Sequence, residues 1–162
     1  MLVLPVQAVT GLSAEAEGRL GGELMFALGE RAPKITWVSP EELQRAVSRS
    51  PGFAGDPRSL PADPLLHHRE RRAVEPLAGE LRRYSALTDA RLVLVPQAAA
   101  FVPGAAGEGG RVRLAAAMID ARTGGVVWWG EAEGDPRPGA DTPAVASAAA
   151  ALAARMLSAQ AP

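Results

Sequence analysis

The sequence of 162 residues contains no cysteine, which excludes disulfide bonds, thiolate metal ligands and a cysteine nucleophile. It also lacks an excess of either charge, because 17 lysine and arginine residues face 18 aspartate and glutamate residues. Nucleic-acid-binding domains usually carry a strong basic excess, so we expect no nucleic-acid partner. The longest apolar run, the alanine-rich stretch 144–154, is shorter than the roughly 20 residues that a membrane-spanning helix needs.

Two further absences bear on activity and location. No catalytic or cofactor-binding motif occurs along the chain, so we expect neither an enzyme nor a bound cofactor. Residues 1–6 lack the basic stretch and the small-residue cleavage site of a secretory signal and have the pattern of a strand instead. The chain is therefore expected to be either cytoplasmic or a mature region from which a precursor signal was removed.

The residues that are present alternate between strand and helix signals. Short, nearly continuous apolar runs are typical of strands buried on both faces, and alternating runs near the C-terminus are typical of a hairpin. Pro5 has no N–H to donate, which predicts an edge position or a bulge in the first strand. The predicted strands cover residues 2–9, 34–38, 91–97, 111–120 and 125–134.

Capping residues mark the starts of the predicted helices. Ser13 begins the first helix, Ser39 is followed by a proline and two glutamates, and Thr142 is followed by a proline. A further helical region covers about residues 65–87, and Pro76 must kink it or divide it in two.

These signals follow the order β-α-β-α-(α)-β-β-β-α and predict an α/β fold. We expect a mixed sheet of about five strands, a C-terminal hairpin followed by a helix, and helices mainly on one face of the sheet. Residues 1–162 are predicted to form a single domain with a loop rich in proline and glycine at about 50–64, either functional or mobile. Within the first helix, Gly18, Gly21 and Gly22 are expected to pack closely against the sheet.

The C-terminal hairpin allows a prediction for individual residues. A three-residue loop at 122–124, with glycine in the left-handed position, places Arg113 opposite Glu133. In this register Trp128 faces the core, and Trp129 points to the opposite face of the sheet.

An apolar patch is therefore expected on the outer face of the hairpin, where Trp129 lies beside Val127 and Ile119. Such a patch is covered either by a helix of the same chain or by a protein partner or second subunit. The leading hypothesis is a protein partner, or self-association, through this face and the 50–64 loop with Phe53. The alternative is a module that binds a small ligand or a glycan, with Phe53 and Phe101 as the lip of the site.

Three segments of the sequence resemble bacterial envelope lipoprotein domains: residues 2–6, residues 92–95 and residues 119–128. The related proteins are the curli-secretion channel lipoprotein CsgG, the peptidoglycan-synthase activator LpoB and the TolB N-terminal-like fold. The resemblance implies a non-enzymatic accessory role at the cell envelope, by oligomeric assembly, by secretion or by activation of another enzyme. Such lipoproteins carry a lipidated cysteine that this sequence lacks, so membrane attachment would need an anchor outside it. The resemblance implies a periplasmic or outer-membrane-associated location if a precursor signal was removed; otherwise the expected location is cytoplasmic.

Other polar clusters have simpler interpretations. Asp120 is expected to support the hairpin turn with its side chain. His67 and His68 suggest, remotely, a metal-dependent hydrolase, but consecutive helical residues point about 100° apart and the spacing of zinc ligands is absent, so no metal is predicted. Four arginines are interleaved with glutamates and are expected to form a solvated basic face or to meet an anionic surface. These arginines are Arg69, Arg72, Arg82 and Arg83.

Overall fold

The computed structural model describes residues 1–61, 71–105 and 109–159. In this part of the chain four helices and five strands form, and the α/β class with a mixed five-stranded sheet is confirmed. The strands are β1 (Leu2–Val3), β2 (Ala8–Thr10), β3 (Leu92–Pro103), β4 (Gly110–Asp120) and β5 (Val126–Glu133). The helices are α1 (Ala14–Arg31), α2 (Pro40–Arg49), α3 (Leu77–Thr88) and α4 (Thr142–Ser158).

The sheet has the order β1-β3-β4-β5, and β2 also pairs with β3. Both β1 and β2 run parallel to β3. The predicted strand over residues 2–9 is thus interrupted near Pro5, which has no N–H for the ladder. Backbone pairing resumes at Gln7, whose N–H donates to the carbonyl of Pro96 at 3.0 Å.

The predicted strand over residues 34–38 is wrong, because only its last residue joins the sheet. The N–H of Val38 donates to the carbonyl of Met1 at 2.8 Å, and the N–H of Val3 donates to the carbonyl of Val38 at 3.0 Å. A single bridge forms there instead of a ladder.

The helix starts follow the local signals closely. Ser13 accepts a hydrogen bond from Ala16 N at 3.2 Å, and Ser39 forms a reciprocal capping box with Glu42. The cap of α4 is Asp141 rather than the predicted Thr142, and its carboxylate accepts from the N–H of Ala144 at 3.0 Å. Asp141 precedes a proline by two residues, and its negative charge interacts favourably with the positive N-terminal end of the helix dipole.

The predicted helix over residues 65–87 is wrong for its middle part. Helix α3 begins only at Leu77, after Pro76. Just before it, the N–H of Ala73 donates to the carbonyl of Gly124 at 2.8 Å, and the carbonyl of Arg71 accepts from Val126 N at 3.0 Å. This segment therefore lies beside the start of β5, and residues 62–70 lie outside the described part of the chain.

The chain divides into two compact units, and the expectation of a single domain stays a prediction. Unit 1 comprises Met1–Gln7, Thr36–Gln97 and Ala116–Trp129. Its core gathers apolar side chains from the sheet and from α2 and α3, including Leu43, Leu77, Leu81, Tyr84, Val95 and Ile119.

Unit 2 comprises Ala8–Ile35, Ala98–Ala115 and Gly130–Pro162, and in it α1 packs against α4. The buried side chains are leucines from α1 and mostly alanines from α4, among them Leu20, Leu24, Leu28, Ala148, Ala149 and Leu152. The backbone of Gly134 lies close to α4. A Cβ at this position would lie 2.7 Å from the N atom of Ala148, so only glycine fits there. No helix in the described ranges combines the length and apolar character needed to cross a membrane.

Candidate interaction surfaces

The β4–β5 hairpin follows the predicted pairing at one end only. Arg113 donates from Nε and Nη2 to the Oε1 of Glu133, at 2.9 and 2.6 Å, as the predicted register requires. The glutamate raises the pKa of Arg113, chiefly through the side-chain hydrogen bond. Beside this pair, the N–H of Gly134 donates to the carbonyl of Val112 at 3.0 Å.

The turn end of the hairpin departs from the predicted register. The N–H of Asp120 donates to the carbonyl of Gly125 at 2.9 Å, so the loop has four residues, 121–124, rather than the predicted three. Gly124 has the left-handed φ of 73° that was predicted for it. Two hydrogen-bonded pairs, Asp120 with Gly125 and Val112 with Gly134, bound the paired part of the hairpin. Between them β4 advances by eight residues and β5 by nine, so β5 contains one bulged residue.

The bulge removes the strict alternation of β5, since Val126 and Trp129 both pack against the core of unit 1. Trp128 and Trp129 are both half-buried, and Trp129 packs against the core of unit 1. Its indole Nε1 donates to Oε1 of Gln97 at 3.0 Å. Ile119 is 0% exposed and belongs to the same core, so the predicted open face is wrong at Ile119 and is largely covered by the chain itself. Val127 does lie at the surface, with 56% of its area exposed.

Asp120 closes the hairpin turn, as its position predicts. Its Oδ1 accepts from the backbone N–H groups of Arg122 and Thr123, at 2.9 and 3.2 Å. Its Oδ2 accepts from Nε and Nη2 of Arg91, at 2.8 and 2.5 Å. The hydrogen bond from Arg91 lowers the pKa of Asp120, with smaller contributions from the two backbone donors, despite an opposing effect of burial.

The described part of the predicted 50–64 loop is held by the side chain of Gln7, which lies between β1 and β2. Gln7 donates from Nε2 to the carbonyl of Pro57 at 3.0 Å, and its Oε1 accepts from the N–H of Leu60 at 2.9 Å. The same Nε2 also donates to the carbonyl of Pro5. The side-chain amide of Gln7 therefore uses both its donor and its acceptor on backbone.

Helix α3 holds the same loop at Gly55. The N–H of Gly55 donates to Oε2 of Glu80 at 2.8 Å, and its carbonyl accepts from the hydroxyl of Tyr84 at 3.0 Å. Burial, together with the nearby charge of Glu80, raises the pKa of Tyr84. Phe53 lies in this held loop with 47% of its area exposed, so it is presented on a fixed backbone.

The predicted basic face is largely neutralised where the structure describes it. Arg82 pairs with Glu75, and Arg83 pairs with Glu80. The hydrogen bond from Arg82 lowers the pKa of Glu75. Arg72 donates from Nε to the carbonyl of Thr123 at 3.0 Å, which ties it to the hairpin turn.

Three residues named from the sequence, Arg69, His67 and His68, lie outside the described residues. Within the described ranges, no group of three or more histidine, aspartate or glutamate side chains is arranged to hold a metal ion. Phe101 lies in unit 2, where its ring covers Gly110 and leaves no room for a Cβ there. The ligand-binding or glycan-binding alternative stays a prediction.

The most exposed large hydrophobic side chain in the described chain was missed at the sequence level. Phe26, on α1, has 68% of its area exposed. Gly18, Gly22 and Gly29 lie on the same outer side of the helix, and a methyl group on any of them would meet no atom within 4 Å. The prediction that Gly18, Gly21 and Gly22 pack closely against the sheet is therefore wrong. We call this outer side, formed by Gly18, Gly22, Phe26 and Gly29, the α1 face.

A hollow of about 260 Å³ lies beside Phe26 where α1 meets α4. Its apolar lining comes from Ala27 of α1 and from Ala146 and Ala150 of α4. Its remaining lining residues are charged, namely Glu23, Glu30 and Arg31. The sequence does carry a signal for this surface, because Phe26 follows Gly18 and Gly22 at four-residue spacing, away from the buried leucines of α1.

No protein-family model and no curated protein matches the chain. Solved structures that it is similar to include the lipoprotein GNA1162 from Neisseria meningitidis, with a TM-score of 0.49, 15% identity, and coverage of 98% of this chain and 91% of that chain. The NMR structure of Escherichia coli LpoB gives a TM-score of 0.49 and 18% identity, and covers 84% of this chain and 56% of that chain.

A PelC dodecamer from Paraburkholderia phytofirmans gives a TM-score of 0.38 and 19% identity, and covers 92% of this chain and 86% of that chain. At these identities and TM-scores, all three similarities concern general architecture. The first two structures are of a lipoprotein and of LpoB, which are the kinds of protein that the sequence resemblance names. The grouping with CsgG and with the TolB N-terminal-like fold stays a prediction.

Proposed function

We propose that this chain is a non-enzymatic accessory domain of the cell envelope that acts by binding a protein. The observation that carries the proposal is the α1 face, where Phe26 is 68% exposed beside an apolar hollow. Aromatic side chains at the surface are the usual anchors of protein interfaces, because they remove a large apolar area from water on binding. The envelope location rests on the sequence resemblance alone.

The two carboxyl groups with shifted pKa values among the described residues both belong to structural ion pairs. Asp120 has a lowered pKa because it is paired with Arg91, and Glu75 has a lowered pKa because it is paired with Arg82. Both carboxylates are thus held in their charged form by structural partners. A carboxylic acid that donates a proton in catalysis at neutral pH needs the opposite, a pKa raised toward the operating pH.

Val127 and Phe53 remain secondary candidates for contact with a partner. Both are exposed and belong to unit 1, whereas the α1 face belongs to unit 2. Of the residues named from the sequence, Ile119 is excluded from direct contact by its burial, and Trp129 is half-buried.

Site-specific photo-crosslinking in the native host tests the proposal. A photoreactive phenylalanine analogue is placed at position 26, with matched placements at Val127 and Phe53 and a control at Arg45, an exposed residue of α2. We expect discrete crosslinked products at position 26 and none at the control. If position 26 gives no product above the control, the α1 face is not an interaction surface and the proposal fails.

A further inference from the structure

We infer that the protein bound at the α1 face is a second copy of this chain, related by a two-fold axis that brings two α1 helices together in antiparallel orientation. The inference rests on the proposed function and names its partner. It is carried by three properties of the α1 face and its rim: shape, backbone accessibility and charge. Each of them is self-complementary, and an interface between two identical surfaces requires self-complementarity.

The first property is shape. The surface offers a projecting ring, Phe26, directly beside a hollow lined by Ala27, Ala146 and Ala150. In a two-fold arrangement the ring of each copy enters the hollow of the other, so two apolar contacts form from one surface. A burial of this kind removes both exposed rings from water at once.

The second property is the open backbone along the α1 face. Gly18 and Gly22 are one helical turn apart, and Gly29 lies two turns further along. Nothing lies within 4 Å of a methyl group at any of the three. Helix axes pack 8–10 Å apart depending on the side chains between them, so a glycine-lined face permits the closest approach of a second helix.

The third property is charge. Arg19, Glu23, Glu30 and Arg31 lie around the face, and none of them forms an ion pair among the described residues. In an antiparallel pair of α1 helices centred between residues 24 and 25, Arg19 of one copy lies opposite Glu30 of the second copy, twice by symmetry. The same register places Phe26 opposite residue 23 of the second copy, at the hollow.

A partner with one sign of charge would match only half of this rim. The rim carries two basic and two acidic residues, and an antiparallel copy brings opposite charges together at Arg19 and Glu30. The register therefore makes a prediction about a particular residue pair, Arg19 and Glu30.

Sedimentation equilibrium of the full chain over a wide range of concentrations tests the inference. We expect a reversible monomer–dimer equilibrium, weakened at least about tenfold by Phe26→Arg and unchanged by the control Arg45→Glu at an exposed position of α2 in unit 1. The charge reversal Arg19→Glu should weaken the dimer, and the double reversal Arg19→Glu with Glu30→Arg should restore it, because the opposite charges again face each other. A double variant no tighter than Arg19→Glu overturns the register.

Gly22→Lys separates loss of association from loss of folding. Lysine is a better helix former than glycine, so this variant should unfold at a higher temperature while failing to dimerise. A dimer that survives Gly22→Lys, or a wild-type chain that is monomeric at every concentration, overturns the inference. If the chain is monomeric yet position 26 crosslinks to a different protein, the proposed function stands and only the second copy is excluded. If the chain is monomeric and position 26 gives no crosslinked product, both proposals are excluded.

Discussion

The loop around Gly55 in unit 1 and the helix pair α1–α4 in unit 2 are stabilised in different ways. In unit 1, Gln7, Glu80 and Tyr84 hold the loop by directed hydrogen bonds to its backbone. In unit 2, α1 and α4 pack mainly through leucine and alanine side chains, and the outer side of α1 carries no side chain at three positions. Directed bonds fix the backbone of a surface segment, whereas small residues leave a surface open to a close neighbour.

The loop hydrogen bonds stabilise the protein, whereas the exposed glycines of α1 lower its stability. Each hydrogen bond to the loop contributes about 0.5–1.5 kcal/mol, provided that both partners are satisfied. Each exposed glycine inside α1 costs about 0.5–1 kcal/mol relative to alanine. Because no packing within the described chain requires these glycines, the cost is consistent with selection for access to the α1 face.

The largest effect is expected at Gln7. Gln7→Ala removes two donated bonds and one accepted bond at once, and leaves the N–H of Leu60 without its acceptor. We expect a loss of about 1–3 kcal/mol in the free energy of unfolding, measured in urea, with faster proteolysis between residues 51 and 60.

Gln44→Ala is the matched control for this change. The Oε1 of Gln44 is buried without a hydrogen-bond partner, so removing the same amide there should cost less than at Gln7. Equal losses for the two variants would show that the loop is not held by Gln7.

In unit 2 we expect a smaller change in stability than at Gln7, and a gain instead of a loss. Gly22→Ala should stabilise the protein by about 0.5–1 kcal/mol, because the helical backbone accepts alanine and the added methyl group meets open space. Gly134→Ala should destabilise it, since its methyl group would meet the backbone N of Ala148 at 2.7 Å. Thermal unfolding of both variants, at a concentration where the chain is monomeric, measures the contrast. A loss of stability in Gly22→Ala under these conditions would contradict the open space around Gly22.

The smallest effect at neutral pH is expected for Asp120→Asn, because an amide oxygen still accepts from Arg122 N and Thr123 N. The folded state lowers the pKa of Asp120, so its charge contributes stability at pH values above the ordinary aspartate pKa of about 3.9. That contribution disappears as the pH falls through the lowered value. The difference in unfolding midpoint between wild type and variant should therefore shrink toward zero in acid, and a constant difference would contradict the role of the Arg91 pair.

Features set by neighbouring residues could be predicted from the sequence. The caps at Ser13 and Ser39 depend on side chains within three positions, and the pairing of Arg113 with Glu133 depends on two adjacent strands. The sequence predicts the position of the hairpin turn and its left-handed glycine, Gly124. The loop is one residue longer than predicted.

Features set by distant parts of the chain could not be predicted in this way. The bulge in β5 brings Val126 to the same core as Trp129, and nothing in the alternating pattern marks it. The burial of Ile119 depends on α2 and α3, which lie far away in the sequence. The open glycines of α1 were misassigned because spacing identifies a second side of a helix but does not show whether anything packs on it.

The interruption of the first strand near Pro5 has a consequence for the order of folding. Gln7 is positioned by its backbone bond to Pro96 in β3, and only then does its side chain reach Pro57, 50 positions along the chain. We therefore expect the loop around Gly55 to acquire its protection from hydrogen exchange after the parallel edge of the sheet has formed, because contacts so distant in sequence carry a high cost of chain closure. The loop around Gly55 should therefore report a late step of folding.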